Sequence, residues 1–314
     1  MNLRYKNFGA ENLMVNKIYN TYGLDITPGA NPSGAPDFYV DGNTTNGVQD
    51  GKSWATAYKT IAAAISASNT AMGLSMNRYW AKRARIFVCG DTLDETLVAF
   101  PNKCDVIGVG SYDANTMPGI KGHHAPVNTG NYGTRFINVK FNATATNTAI
   151  VTLVNSSSGI QFLGCEFDMT AGTVNGAILS TASPFLKVID CRMRGACDTA
   201  CISIAAGEAG ATLIQGNIIT GGAAVGILIN SSTTTSWESI IKDNFIEAAT
   251  ITIDDNSDLF YVIGNDLISL AVGATVGTMA NEMQCDINVF RASGNRLACS
   301  NVCGIVVPPV DSTT

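Results

Sequence analysis

The stretch FLGCEF at residues 162–167 decides the fold of this chain, because its pattern returns along the sequence at intervals of 21 to 30 residues. The copies read FINVKF (136–141), FLGCEF (162–167), VIDCRM (188–193), IQGNII (214–219), IKDNFI (241–246), VIGNDL (262–267) and ASGNRL (292–297). A fixed period of this length is typical of a solenoid, in which each repeat buries its apolar face only against its neighbours.

Aligned columns of the copies predict where each side chain points. The first and last residues of every copy are apolar, which predicts two files of core side chains. The third residue is always Asn, Asp or Gly, the types that accept positive φ most easily, so we predict a bend between two short strands. The fourth residue predicts a ladder with rungs about 4.8 Å apart, with amide-to-amide hydrogen bonds between the Asn residues. The ladder residues are Val139, Cys165, Cys191, Asn217, Asn244, Asn265 and Asn295.

A second apolar strand follows each copy after a turn of variable length. These strands read IVTLV (150–154), AILS (177–180), CISI (201–204), GILI (226–229), TITI (250–253) and GIVV (304–307). No helical periodicity appears after Ala84, and a leucine-rich repeat would need a shorter period with a helix in each repeat. We therefore predict an all-β fold, a single-stranded parallel β-helix that is right-handed by the general rule for parallel crossovers.

The N-terminal part of the chain differs from the repeats. FYVDGNTTNGVQDGKSWATAYKTIAAAISAS (38–68), with a short strand and an Ala-rich helix, resembles the N-terminal cap of right-handed parallel β-helix proteins of the pectate-lyase-like superfamily. The resemblance covers residues 37–310 and implies the fold, whereas many activities share that fold. Independently of the family, Ile61, Ile65 and Leu74 form an apolar stripe that would cover the open end of the stack.

Three units follow from these patterns. We predict an N-terminal arm or linker at 1–36, a cap with its helix at 37–84 and the β-helix at 85–314. Residues 1–36 lack periodicity and end in a turn-rich TPGANPSGAP. Their aromatic start would either dock on another subunit or protein, or fray as a free terminus.

The composition argues against several partners. The 314 residues carry 19 Lys and Arg against 25 Asp and Glu, a net charge of −6, so nucleic acid is excluded as a partner because phosphate binding needs a basic face. We interpret the one basic run, Lys82, Arg83 and Arg85, as a solvated strand edge. No apolar run reaches the roughly 18 residues that a membrane span needs.

The cysteines and the N-terminal residues bear on the compartment. The first 20 residues lack the apolar segment of a secretory signal, so we expect folding in the cytosol with the nine cysteines as free thiols. The spaced pairs Cys197/Cys201 and Cys299/Cys303 are far apart in the chain and have no His nearby. They therefore do not predict a zinc site.

Candidate binding loops contain little that predicts a ligand. The longest irregular stretch, 108–134, holds both histidines, His123 and His124. Adjacent residues of an extended strand point opposite ways, so we interpret them as surface histidines in a contact loop. The insertion at 269–284 is nearly uncharged, which favours protein contact over sugar binding. The acidic run at 254–258 is interpreted as a solvated turn, and we predict no metal and no cofactor.

Glycan cleavage on this fold would need a calcium-binding carboxylate cluster with a basic residue, or a carboxylate pair in acid and base roles. Glu166 and Asp168 instead stand beside Arg192 and Arg194 of the next repeat, which predicts a surface ion-pair ladder worth roughly 0–1 kcal/mol per pair. The signatures of the family's pectin hydrolases are missing. Trp237 is the one tryptophan within the repeats. We therefore predict no catalytic residues.

These features favour a non-enzymatic structural protein, and the resemblance implies a bacteriophage particle. We expect a capsid decoration (cement) protein or a tail-associated spike, located in the virion after assembly in the host cytoplasm. Analogy with phage β-helix proteins implies a homotrimer, seated on a capsid or tail protein through residues 1–36. The alternative is a tailspike-type depolymerase, a polysaccharide lyase or glycoside hydrolase that acts on host surface glycan.

Overall fold

The computed structural model describes most of the chain between Gly34 and Leu270. The described ranges are 34–72, 82–110, 117–127, 131–144, 148–154, 157–171, 174–181, 183–205, 211–230, 239–255 and 260–270, followed by the backbone of short strands at 277–279, 285–286, 289–292 and 305–306. The predicted arm lies outside these ranges except for its last three residues. The boundaries of the three predicted units stay predictions.

One parallel sheet, which we call sheet A, contains ten strands. Strands that are neighbours in the sheet are one repeat apart in the sequence, so each repeat adds one rung. In sheet order the strands are Asp37–Asp41, Ala84–Cys89, Cys104–Gly108, Arg135–Ile137, Gln161–Leu163, Lys187–Ile189, Leu213–Gln215, Ser239–Lys242, Phe260–Ile263 and Cys285–Asp286.

The larger sheet, sheet B, contains fourteen strands in two limbs. The first limb contains Leu93–Asp94, Gly119–Lys121, Lys140–Asn142, Glu166–Asp168, Arg192–Arg194, Ile218–Ile229, Phe245–Asp255, Asp266–Ser269, Val289–Ala292 and Ile305–Val306. The second limb contains Val151–Leu153, Ile178–Thr181, Ala200–Ala205, the later halves of the two long strands and Gly277–Met279. The strands Asn131–Tyr132 and Ser157–Ser158 form a separate two-stranded sheet. All these pairings are parallel, so the sheets form a curled, β-helix-like stack.

The bend between sheets A and B lies at the predicted residue of each repeat. The third position of every described copy has a φ between 53° and 67°, a conformation that costs least for Gly, Asn and Asp. The residues are Asn138, Gly164, Asp190, Gly216, Asp243 and Gly264. The prediction of two short strands separated by a left-handed residue is confirmed.

The core is a file of apolar side chains that runs through the stack. Phe167 pairs in register with Phe141 on one side and with Met193 on the other, and Met193 pairs with Ile219. All four side chains are fully buried. The rings of Phe141 and Phe167 stack nearly parallel, with an interplanar angle of 12° and centroids 5.1 Å apart, within the range of favourable aromatic pairs.

The one described α-helix, α1, spans Ile61–Met72. The carboxylate of Glu95 accepts hydrogen bonds from the free backbone amides of Ile61 and Ala62, which stabilises the start of the helix. Ile61 and Ile65 are buried in the same cluster as the core of the sheets, and the helix contacts the first two strands of sheet A. Leu74, the third residue of the predicted stripe, lies outside the described residues.

The stretch 108–134 is more regular than predicted. The strand Gly119–Lys121 lies within it and pairs with Leu93–Asp94 and with Lys140–Asn142. It therefore contributes a rung to sheet B. The strand is not apparent from the sequence pattern because it is short and contains a glycine.

Within the described ranges, α1 is far shorter than a bilayer-spanning helix, and no helix there has the length and apolar character to cross a membrane.

Candidate functional site

Charged side chains lie on the outer face of the first limb of sheet B, beside the core file. Successive residues of a strand point to opposite faces, so the residues that flank Phe141 and Phe167 point away from the core. Three neighbouring rungs bring opposite charges together there. We call this group the charge cluster, and it contains Lys140, Glu166, Asp168 and Arg194.

Both carboxylates of the charge cluster contact two cations. Lys140 Nζ lies 3.0 Å from Asp168 Oδ2 and 3.4 Å from Glu166 Oε1. Arg194 Nη2 lies 2.6 Å from Asp168 Oδ2, and its Nε lies 2.9 Å from Glu166 Oε1 without the angle of a hydrogen bond. The predicted ladder is thus confirmed for Arg194. Arg192 is exposed and forms no ion pair with any residue that the structure describes.

The prediction that this ladder lies on the surface is wrong. The Glu166 side chain is only 3% exposed and that of Asp168 is 11% exposed. The longer side chains of Lys140 and Arg194, on the adjacent rungs, lie beside the two carboxylates and shield them from solvent. The Arg194 side chain is itself 38% exposed. A buried carboxylate depends on its partners far more than an exposed one does.

The charge cluster holds Asp168 as an anion. Burial by itself raises the pKa of Asp168, but hydrogen bonds from Thr170 and Lys140 outweigh it and lower the pKa to about 2. Thr170 donates to Oδ1 through both its backbone amide and its hydroxyl group. Asp168 therefore lacks the proton that a general acid would give to a leaving group near neutral pH.

The Lys140→Met variant tests how far the charge cluster depends on its cations. It is expected to lower the free energy of unfolding by about 1 to 2 kcal/mol, because Glu166 stays buried with one cation instead of two. Urea denaturation measures the change. Lys121→Met, an exposed lysine one rung away on the same face, should change it by less than about 0.5 kcal/mol. Equal losses in the two variants would contradict the role of the cluster.

A second set of ion pairs lies on the outer face of sheet A and corrects the interpretation of the basic run. Arg85 is only 2% exposed and makes two hydrogen bonds to the carboxylate of Asp37, on the neighbouring strand. Asp105 receives hydrogen bonds from Arg83 and from Arg135. The prediction of a solvated strand edge is therefore wrong for Arg83 and Arg85, whereas Lys82 is exposed as predicted. Arg85 and Arg135 join consecutive strands of the sheet through bidentate contacts.

The two histidines point to opposite sides, as predicted, but His124 is in the core. It is fully buried, and its backbone forms a bridge to Val151 of the second limb. Its Nδ1 accepts a hydrogen bond from the backbone amide of Leu97, and its ring lies edge-on to Phe141 at 5.6 Å. The prediction of a surface histidine is wrong for His124. In the structure, side chains of this segment alternate between exposed and buried, with Lys121 exposed and Gly122 and His124 buried, an alternation that the sequence does not display as an apolar pattern.

Burial in the apolar core, helped by the charge of His123, lowers the pKa of His124 to about 3. The unfolded chain would bind this proton near pH 6.5. The contribution of the buried neutral ring to the free energy of unfolding is therefore fully present above pH 6.5. It is lost as the pH falls from about 6.5 to about 3.

The His124→Asn variant is expected to remove part of the acid sensitivity of the protein. Asn keeps an acceptor for Leu97 and does not titrate, so the free energy of unfolding should depend less on pH by up to about 1.4 kcal/mol per pH unit. Urea denaturation between pH 7 and pH 4.5 measures this slope. Val127→Ala, at an exposed residue of the same stretch that does not titrate, is the control and should keep the wild-type slope. A wild-type slope in His124→Asn would refute the buried neutral ring.

The predicted asparagine ladder is confirmed for the described rungs. Asn217 Nδ2 donates to Asn244 Oδ1 at 2.9 Å, and Asn244 Nδ2 donates to Asn265 Oδ1 at 2.8 Å. The thiols of Cys165 and Cys191 continue the column and donate to the carbonyl oxygens of Phe136 and Phe162. Each acceptor carbonyl is 29 residues back in the chain, as for Asn217. The column is therefore a structural ladder.

The cysteines offer little chemistry. Cys197 and Cys201 are buried with their sulfur atoms 3.9 Å apart. The side-chain contact with Cys197, together with burial, raises the pKa of the Cys201 thiol well above its usual range, so thiolate ligands are disfavoured there. Among the residues the structure describes, no three His, Cys, Asp or Glu side chains come close enough to hold a metal ion. The second spaced pair, Cys299/Cys303, lies outside them.

Other predicted features fall wholly or partly outside the described residues. They are Trp237, residues 256–258 of the acidic run and most of the insertion at 269–284. Within that insertion, the backbone of Gly277–Met279 pairs with the strand Phe245–Asp255.

The seventh predicted copy, 292–297, is wrong in register. The structure pairs Cys285–Asp286 with the strand at Val262 and Val289–Ala292 with Asp266–Ser269, so the repeat lies seven residues earlier and the prediction of Asn295 in the ladder is wrong. The strand Ile305–Val306, predicted as a second strand, pairs with Val289–Ala292 in the first limb instead.

No family model, curated protein or solved structure matches this chain.

Proposed function

We propose that the chain is a right-handed parallel β-helix whose N-terminal helix caps the stack, and that it is a non-enzymatic structural component of a bacteriophage particle. The general handedness of parallel crossovers supports the hand of the coil. The burial of Ile61 and Ile65 of α1 in the core of the sheets supports the cap. The particle itself is inferred from the resemblance of residues 37–310 to β-helix proteins of the pectate-lyase-like superfamily, because phage particle proteins share that fold.

The observation that carries the non-enzymatic part is the charge cluster. Glu166 and Asp168 are the paired carboxylates on an outward face that resemble a catalytic pair most closely. Both are held by Lys140 and Arg194 within 3.4 Å. Groups engaged in this way stabilise the stack and are not poised for proton transfer. A capsid decoration protein or a tail-associated spike, with homotrimeric assembly, fits such a stack.

A first experiment separates a structural component from a soluble protein. Particles are purified on a density gradient from a culture that produces the chain, and the chain is quantified by mass spectrometry. The proposal expects the chain in the particle band at a fixed copy number, in the hundreds for a capsid decoration protein or a few tens for a tail position. Recovery of the chain only outside the particle band would overturn the proposal.

A second experiment addresses the alternative, a polysaccharide lyase or glycoside hydrolase. Glu166 and Asp168 of the charge cluster are the carboxylates that such an enzyme would have to use. Purified protein is incubated with host capsule or O-antigen, and new reducing ends or unsaturated sugars are measured. No turnover above that of the Glu166→Gln variant is expected. Turnover that this variant abolishes would establish the enzyme instead.

A further inference from the structure

The outer face of sheet A is buried over its first five rungs and partly exposed over the rungs that follow. One row of outward side chains runs down this face with one residue per rung, in the order Tyr39, Phe87, Ile107, Ile137, Leu163, Ile189, Gln215, Lys242, Ile263 and Asp286. The first five form an apolar cluster separate from the core, and none of them is more than 7% exposed. We call the five rungs from Tyr39 to Leu163 the closed face.

The contrast within this row indicates a layer of protein over the closed face. Ile137 and Ile189 are the same residue type in the same row, yet Ile137 is only 3% exposed and Ile189 is partly exposed. An apolar sheet face is buried only where another layer packs over it. The neighbouring outward row agrees, because Arg85 and Asp105 are buried whereas Lys187 is partly exposed.

The described residues account for only the first part of this layer. Trp54 packs edge-on against Tyr39 with ring centroids 4.9 Å apart, and Ala57 is buried in the same cluster. Apart from Ala57, all members of the cluster belong to the row itself. Ile137 and Leu163 are three and four rungs further on, about 14 and 19 Å from Tyr39 at the spacing of a parallel sheet. They are therefore beyond the reach of Trp54 and Ala57.

We propose that the N-terminal arm of the same molecule, residues 1–33, docks on the closed face. The chain enters the described residues at the first rung of this face, where the carbonyl of Pro36 accepts a hydrogen bond from the backbone amide of Arg85. The arm is thus tethered beside the surface, which favours contact within one molecule over contact with another copy. The inference does not depend on the proposed function. It adds that a partner protein that binds the arm must first displace it from sheet A.

Length and composition identify the arm as the occupant. The closed face is about 19 Å long, a distance that about six residues of extended chain can cross. Eight of the fourteen residues at 13–26, LMVNKIYNTYGLDI, are apolar or aromatic, as burial against an apolar surface requires. The stretch after Ile107 fits less well. Val109 is 45% exposed, and SYDANT (111–116) has one large apolar side chain for five rungs.

Photo-crosslinking in the full chain tests this inference. A benzophenone side chain replaces Leu163, or Ile263 on the exposed part of the row as the control, and the crosslinked peptides are identified by mass spectrometry. Position 163 should capture a peptide from residues 1–33, and position 263 should not. Mixing isotope-labelled and unlabelled chains before irradiation shows whether both peptides come from one molecule. Capture of residues 111–116, or of the arm of another copy, would overturn the proposal.

Charged substitutions give a second measurement. Leu163→Lys places an ammonium group under the arm and should speed tryptic cleavage at Lys17 at least about tenfold, because burial of a charge disfavours docking and cleavage follows the open population. Ile263→Lys is the matched control and should leave this rate unchanged. Cleavage at Lys187, in a strand of sheet A, should stay slow in both variants, which shows that the sheets remain folded. Equal rates at Lys17 in the wild type and in both variants would contradict a docked arm.

Discussion

The Phe167→Ala variant is expected to have a free energy of unfolding about 4 kcal/mol lower than that of the wild type. Phe167 is fully buried and belongs to a four-ring aromatic group. Its ring stacks on Phe141 at 5.1 Å and meets Phe162 edge-on at 5.4 Å, and Phe162 stacks on Phe136 at 5.5 Å. Truncation removes the apolar surface of one ring and leaves a cavity that the rungs above and below cannot fill, because hydrogen bonds fix their spacing.

Urea denaturation followed by circular dichroism measures this loss. Val98→Ala is the control, because Val98 is 62% exposed and should change the free energy of unfolding by less than about 0.5 kcal/mol. The denaturant slope should stay the same in both variants, since the folded state remains compact. A loss below about 1 kcal/mol in Phe167→Ala would mean that the ring is not in a closed core.

The Asn244→Ala variant is expected to lower the free energy of unfolding by about 3 kcal/mol. The amide of Asn244 makes four buried hydrogen bonds. It donates to Ile214 O and to Asn265 Oδ1, and it accepts from the backbone amide and from Nδ2 of Asn217. Removing the amide leaves these partners buried without a replacement, which is more costly than the net gain of making the bonds.

Two further variants make the ladder test specific. Asn244→Cys copies the residue that fills the same column at Cys191, and it should lose less stability than Asn244→Ala because a thiol still donates to the carbonyl of Ile214. Gln161→Ala removes an outward amide that is partly exposed, and it should change the free energy of unfolding by less than about 0.5 kcal/mol. Equal effects of Asn244→Ala and Gln161→Ala in urea denaturation would refute the ladder.

The features that sequence predicted correctly are those that repeat in the first six copies of the pattern. The bend at Gly164 and Asp190, the file through Met193 and the amide contact of Asn217 with Asn244 all occupy fixed columns, so one alignment of the copies predicts them together. Column position determines whether a side chain points in or out. It also determines which residues of adjacent rungs meet, and the contact of Asp168 with Arg194 was predicted in this way.

The features that sequence missed depend on contacts outside the columns. Glu166 points outward as predicted, yet its burial depends on how the long side chains of adjacent rungs lie over it. Arg85 looked solvated because its partner Asp37 is 48 residues away and belongs to no repeat. His124 is within a stretch without period, so its place in the core followed from a strand that the pattern did not contain. Such contacts are set by packing and not by spacing.

The central claim is that residues one repeat apart lie directly above one another. Its most direct measurement is the distance between the Cα atoms of Phe167, Met193 and Ile219 in a crystal or cryo-electron microscopy structure. The stacked coil predicts two successive separations of about 4.8 Å in a single file. Separations of 10 Å or more, with these side chains in different parts of the molecule, would contradict the fold and the function proposed from it.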